Sequence, residues 1–261
     1  MPRWRRALAQ IWPRVAIVAL IVALWWAVYE SGWLAPAQLP SPASVWDTLT
    51  SHLTGTNGLL AAAYRSVLRL SVALGLAMLV GTPIGLAMAR WQVVQRSVGS
   101  VVVGLQALPS IVWLPLAAIW IGYNEKAVMF VVVIGAMPAV AIATAAAVRM
   151  VPPSLVRAGR TLGARGWTLY GRVVLPAAVP GYIAGLQQAW AIAWRALMAA
   201  ELIIAGARGL GHLIARSWAQ YDTALVIATM IVIMLVGIGV DAAFAWVDRR
   251  VRRRRGLLVE A

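Results

Sequence analysis

The 261-residue chain has no cysteine, one lysine (Lys126), two histidines (His52 and His212) and only eight acidic residues. Without cysteine, disulfide frameworks and Cys-based metal sites are excluded. Two histidines do not by themselves make a His-rich metal site. A phosphate-binding Walker A loop needs Gly-x-x-x-x-Gly-Lys-Ser/Thr, and the one lysine is followed by Ala127. No Ser/His/Asp or Cys/His arrangement can be built from histidines that both lie outside the apolar stretches. Charged residues are only 12% of the chain and hydrophobic residues 62%, against roughly 25% and 45–50% in soluble domains. Disordered chains are charge-rich and apolar-poor, so disorder is excluded too. At a mean hydropathy of +0.81, lipid is the solvent for most of this chain.

What the chain does have is long apolar runs. A helix crosses about 30 Å of hydrocarbon with about 20 apolar residues. Six stretches reach or approach that length: 15–30, 67–89, 98–122, 127–148, 174–205 and 223–247. The first has a short apolar core. Arg3, Arg5 and Arg6 before it resemble a secretory leader, but no soluble mature domain follows, so it reads as an uncleaved span. The fifth is too long for one straight crossing, and Pro176 and Pro180 predict an interfacial turn or kink at its start.

The net charge of +15 is distributed unevenly. Arg3, Arg5, Arg6 and Arg14 precede span one; Arg90 and Arg96 follow span two. Arg149, Arg157, Arg160, Arg165 and Arg172 follow span four, and Arg249, Arg250 and Arg252 to Arg255 end the chain. The other side holds Lys126, Arg208 and Arg216. Arg65, Arg69 and Arg195 lie in or beside spans, the first two placed to snorkel at the outer face. The positive-inside rule makes the Arg-rich side cytoplasmic, with both termini inside and an even number of spans. Basic residues split among four segments anchor topology, and a nucleic-acid reading of the high pI fails on that split. Anionic lipid is the expected partner of the tail 249–261.

Between spans one and two, the outer loop has no Lys or Arg and many turn formers; 43–53 is expected to be a short helix capped by Ser41 or Ser44. Gly206, Gly209 and Gly211 break the chain after span five, and 212–221 is expected to resume as an amphipathic piece. Gly75, Gly81 and Gly85 form a small-residue face on span two suited to close helix packing. Fourteen tryptophans include Trp25, Trp26, Trp33, Trp91, Trp218 and Trp246 near span ends, as interface anchors. Asp248 can meet Arg252 one turn on.

Two regions carry candidate function. Residues 150–176 read as two short helices around Gly163. Leu155, Leu162, Leu169 and Val173 recur at helical spacing, and Arg157, Arg160, Arg165 and Arg172 fill other positions. This is either a basic stretch lying on the membrane or a docking surface for a cytoplasmic partner. Within the spans, Pro109 and Pro115 free backbone groups that lipid cannot satisfy. They are ordinary kinks, or irregular backbone lining a path; Met137-Pro138 poses the same alternatives, and Trp113 or Trp194 could stack on a solute. Arg195 and Glu201 are charges inside span five, six residues apart and so not facing each other. Glu201 is expected at the outer edge, capped by the 206–211 turn. Arg195 lies deeper, facing a solute path, snorkelling to the outer interface or pairing with Glu201 of another copy.

Arg157-Ala158-Gly159, then Gly163, then Leu175-Pro176, resembles the EAA loop of ABC importer permeases, which runs Glu-Ala-Ala, three residues, Gly, and about eleven residues to Leu-Pro. Arg157 stands at the Glu position and Gly159 at the second Ala. Leu108-Pro109-Ser110-Ile111-Val112-Trp113-Leu114-Pro115, Asn124-Glu125-Lys126 and Ala193-Trp194-Arg195 with Glu201 and Gly209-Leu210-Gly211 are similar to the nitrate, taurine and aliphatic sulfonate permeases. The resemblance implies an all-α polytopic membrane protein of the type I importer fold, one permease domain over 1–261, in a bacterial inner membrane. It implies a second permease copy, two cytoplasmic ABC ATPases docked on the loop about 150–176, and an extracytoplasmic binding protein. The solute would be a small anion or another small nutrient; a secondary transporter or channel is the competing class. Arg157, Ala158, Gly159, Gly163, Leu175 and Pro176 would couple to the ATPase. Pro109, Trp113, Pro115, Arg195 and Glu201 are candidates for the path. No cofactor is expected on this chain, ATP and Mg being held by the ATPase partner.

Overall fold

The computed structural model describes residues 3–204 and 208–254, with side chains from residue 12 onward except Arg14 and Arg254. Gly206 and Arg255, read above as a helix breaker and a tail anchor, lie outside the described residues, as do the side chains of Arg3, Arg5 and Arg6. All regular structure in the described residues is helical. In chain order it comprises α1 (Arg3–Glu30), α2 (Pro42–Ser51), α3 (Leu59–Arg90), α4 (Gln92–Ala107), a 3₁₀ turn (Ser110–Trp113) and α5 (Leu114–Ile121). Then come α6 (Glu125–Arg149), α7 (Pro153–Thr161), α8 (Gly166–Leu169), a π segment (Tyr170–Val174), α9 (Leu175–Ile203), α10 (Leu210–Ala219) and α11 (Thr223–Arg254).

Four helical stretches are long and apolar enough to cross a membrane, and the pair formed by α4 and the 3₁₀–α5 segment makes a fifth if taken as one span. The apolar part of α1, Val15–Glu30, is shorter, as its sequence predicts. Ser41 caps α2, its hydroxyl accepting from the Ser44 N–H at 3.1 Å. Asn124 caps α6 through bonds from the Lys126 and Ala127 N–H groups; such caps satisfy helix-start donors that have no intrahelical partner.

At the centre, α6 is held between α3 and α9. Both neighbours approach it through glycine. A methyl group on Gly85 would lie 2.3 Å from the Ala141 carbonyl oxygen, and one on Gly185 would lie 2.4 Å from the Ala143 methyl. A methyl on Gly81 would lie 2.7 Å from the Met137 carbonyl oxygen. Where lipid supplies no hydrophobic drive between helices, such backbone-close contact is what holds spans together. Gly75, expected on the same packing face, meets nothing within 4 Å. The core is filled mainly by small and β-branched residues of these three helices, among them Ala73, Ala77, Val131, Ala136, Val140, Ala193 and Ala200.

Three expectations are corrected. Stretch 98–122 is not one straight span: α4 and the segment Ser110–Ile121 meet at 94°. Proline forces its predecessor into extended backbone, and Leu108 has ψ of 124° ahead of Pro109. The fifth stretch has no interfacial turn at Pro176. Helix runs through from Gly166 to Ile203, because the π segment widens the turn that precedes Pro176, with the Leu175 N–H reaching back to the Tyr170 carbonyl. Finally, Arg69 does not snorkel; it is 6% exposed and points into the protein.

Candidate coupling loop, broken span and buried charge network

The loop after α6 is rigid by construction. Pro153 occupies the first turn of α7, where its missing N–H costs nothing. The helix ends at Leu162, and Gly163 follows at φ +85°, a left-handed backbone that glycine adopts without strain. The Gly163 N–H donates to the Arg160 carbonyl at 3.0 Å and the Ala164 N–H to the Gly159 carbonyl at 2.9 Å. Together these form a Schellman closure. Gly159 is buried, and a methyl there would lie 3.0 Å from both Leu169 and Val173; this contact favours glycine where the resembled motif carries alanine. A small core of Ala147, Val151, Leu169, Val174 and Ala178 pins the loop to the ends of α6 and α9. Its outer surface is open: Leu162 and Trp167 are 88% and 89% exposed, and Arg157, Ala158, Arg160 and Arg165 are exposed beside them. Leu175 and Pro176 are half-buried beneath.

The broken span supplies irregular backbone at membrane depth. Pro109 and Pro115 are exposed on either side of the 3₁₀ turn, and Trp113 is half-buried, packed on the main core. Ser110 presses against Gly135 of α6, and Ala196 of α9 approaches the same glycine. The break therefore sits at the level of Arg195, the neighbour of Ala196. Arg195 is exposed. Its Nε donates to the Ala191 carbonyl at 3.1 Å, and it forms none of the ion pairs among the described residues. Trp194 stacks on Trp190 with ring centres 5.6 Å apart, and Trp194 is buried, so its ring is occupied by protein.

This chain matches, over residues 81–253, the family described as "Binding-protein-dependent transport system inner membrane component". It belongs to that family. A putative ABC transporter permease of Methanocaldococcus jannaschii is 31% identical over 240 residues, covering 90% of this chain and 89% of the relative. The taurine transport permease TauC of Escherichia coli is 29% identical over 254 residues, covering 95% and 92%. The bicarbonate transport permease CmpB of Synechococcus elongatus is 27% identical over 263 residues, covering 97% and 94%. Among solved structures, the MetNI methionine ABC transporter has a chain of the same fold, with a TM-score of 0.64 at 18% identity, covering 81% of this chain and 99% of that one. The protein is thus a multi-pass ABC importer permease for a small solute.

Glu201 of the permease is not on an exposed surface. It is completely buried, so it lines no open path in this structure. Arg69 Nη1 donates to its Oε1, the Ser66 hydroxyl lies 2.8 Å from Oε2, and the Gly211 N–H donates to Oε2 at 3.0 Å. Ser66 in turn accepts from the Leu210 N–H at 2.9 Å. Arg69 Nε also donates to Glu125 at 2.9 Å. One carboxylate thereby ties α3, α9 and the start of α10, while Arg69 adds the start of α6. The expected capping by the 206–211 turn is present at Gly211. Gly209 and Gly211 are both required to be small: a methyl on Gly209 would lie 2.3 Å from the Glu201 carboxylate, and one on Gly211 would lie 2.6 Å from the Glu201 Cβ.

Sequence reading missed Ser66, Arg69 and Glu125. The available signal was the spacing of Ser66 and Arg69, three apart on one helix face, together with a carboxylate in an apolar span that must have a partner. Elsewhere, Asp241 accepts from Gln187, joining α11 to α9, and Asp248 meets Arg252 at 2.8 Å as its spacing predicts. Arg149 donates to the Met88 carbonyl at 2.9 Å, and Arg90 lies over the Tyr170 ring at 5.6 Å.

Proposed function

We propose that this permease carries a small organic or inorganic anion, of the aliphatic sulfonate, taurine or nitrate kind, across a bacterial inner membrane. The observation that carries the reading is Arg195: an exposed guanidinium with no carboxylate partner among the described residues, on the helix beside the broken span. A permanently charged fork suits an oxyanion, and an ionisable group in a span costs at least about 2.5–3.5 kcal/mol on insertion scales, which argues for use. Relatives that are named for taurine and bicarbonate transport support the class. In this reading two copies of the chain face each other across the path, and a binding protein delivers the anion on the extracytoplasmic side. Two ABC ATPases dock on the loop 150–176, with Leu162, Trp167 and the arginines beside them as the contact surface. ATP and Mg belong to those partners.

The test is Arg195→Gln in proteoliposomes holding the full importer with saturating binding protein. Uptake of the anion is expected to fall at least tenfold while assembly and basal ATP hydrolysis persist. Unchanged uptake, or loss of assembly instead, overturns the substrate role.

A further inference from the structure

At the end of the bundle opposite the 150–176 loop, the start of α3 and one face of α10, with His212, Leu213 and Arg216, line an open pocket of about 230 Å³. Arg65, Arg208, His212 and Arg216 converge on it, with Asn57 at its edge and Gly209 in its wall. The cations are placed by the fold. Arg65 stands one turn before Arg69 on α3, and its Nη2 is fixed by the Thr56 carbonyl at 2.9 Å. His212 and Arg216 are one turn apart on α10 and so share a face. Arg208 lies just ahead of that helix.

None of these four groups forms an ion pair; the three salt bridges among the described residues are Arg69 with Glu125, Arg69 with Glu201, and Arg252 with Asp248. Glu201 backs Gly209 directly, but its oxygens are committed to Arg69, Ser66 and Gly211. Three guanidinium groups gathered without a carboxylate repel one another, and an anion among them relieves that repulsion. The fork of arginine matches carboxylate, sulfonate and phosphate oxygens in pairs. The volume is below the roughly 300–1,000 Å³ of pockets for drug-sized ligands, which suits a small ion. Arg65 and His212 are half-buried and Arg208 and Arg216 exposed, so the donors line a recess that is open to solvent on one side.

The geometry points to an oxyanion site between α3 and α10 that binds the sulfonate, carboxylate or carbonate group of a small free anion, at the end of the bundle away from the coupling loop. The ligand class rests on the anion reading above; the binding itself is measured separately from transport. The probes are radiolabelled taurine and sulfate, added without binding protein to the intact permease–ATPase complex in phosphatidylcholine nanodiscs. Saturable binding is expected, weakened at least tenfold by Arg65→Gln with Arg216→Gln and retained in large part by Arg65→Lys with Arg216→Lys. Should the double glutamine variant fail to assemble with the ATPase, Arg216→Gln alone, at an exposed position, is expected to weaken binding at least threefold.

Absence of saturable binding, or equal binding by the glutamine variants, overturns the site. Binding that vanishes when phosphatidylglycerol replaces phosphatidylcholine assigns the pocket to a lipid headgroup and overturns the free-anion proposal. Glutamine variants that bind sulfate and taurine as tightly as the parent but lose association with the binding protein, read in a separate pull-down, assign the pocket to protein docking, with the same consequence. Import of an uncharged solute would overturn the anion-transport reading while leaving sulfate binding at this pocket intact.

Discussion

Arg69 and Glu201 show how a charge pair can be both hidden and needed. Each is buried, and each is the other's partner. Removing one member of a buried pair leaves an uncompensated charge and costs about 3–5 kcal/mol. Arg69→Gln is therefore expected to destabilise the permease by that amount, read as a drop in thermal midpoint in detergent or nanodiscs. Glu125→Gln should cost about 1 kcal/mol or less, because the Glu125 side chain is 62% exposed and exposed pairs contribute little. Equal losses in the two variants would show that Glu201 is not the principal partner. The sequence made Glu201 visible as an anomaly, a carboxylate in an apolar run. It did not make its partner visible, because Arg69 lies 132 residues away and the charge pattern of α3 alone reads as an outer-face anchor. Long-range pairing is a property of the packed helices, and no local periodicity encodes it.

Elements were legible where they announce themselves by composition. The apolar runs, the Ser41 cap and the Gly163 bend follow from local chemistry, and the structure has them. The direction of α5 does not follow in that way. A run of apolar residues has the same hydropathy whether straight or folded back, so 98–122 reads as one span until the angle at Pro109 is seen. The proline in the first turn of α9 fails in the opposite sense. Pro176 predicts an interfacial turn or kink, and a π segment carries the helix through it, a solution that depends on neighbouring packing around Val174 and Ala178. For the loop 150–176, Gly163→Trp is the informative change. The space around Gly163 is open, so the cost is backbone strain at φ +85°, about 1–2 kcal/mol. Membrane insertion should be intact. Co-purification with the ATPase and solute uptake should both fall several-fold, and normal values of both would separate this loop from coupling.

At the scale of the whole molecule, orientation is the first thing to measure. Seventeen arginines on one side against three basic residues on the other predict that a reporter fused after Ala261 is active only in its cytoplasmic form; an extracytoplasmic signal would reverse the assignment of every loop. The continuous helix from Gly166 to Ile203 also has a mechanical meaning. Its 38 residues extend about 57 Å at 1.5 Å per residue. One end is cemented into the small core under the loop 150–176, and the other carries Glu201. Close-packed interiors transmit strain instead of absorbing it, and the glycine seams clamp this rod to α6 along the way. If docked ATPases push on the loop, the push is expected to arrive at the far end, where the Glu201 carboxylate would pass it to α3 and α10 through Arg69, Ser66 and Gly211. α9 would then act as a connecting rod, with the buried charge network as its bearing.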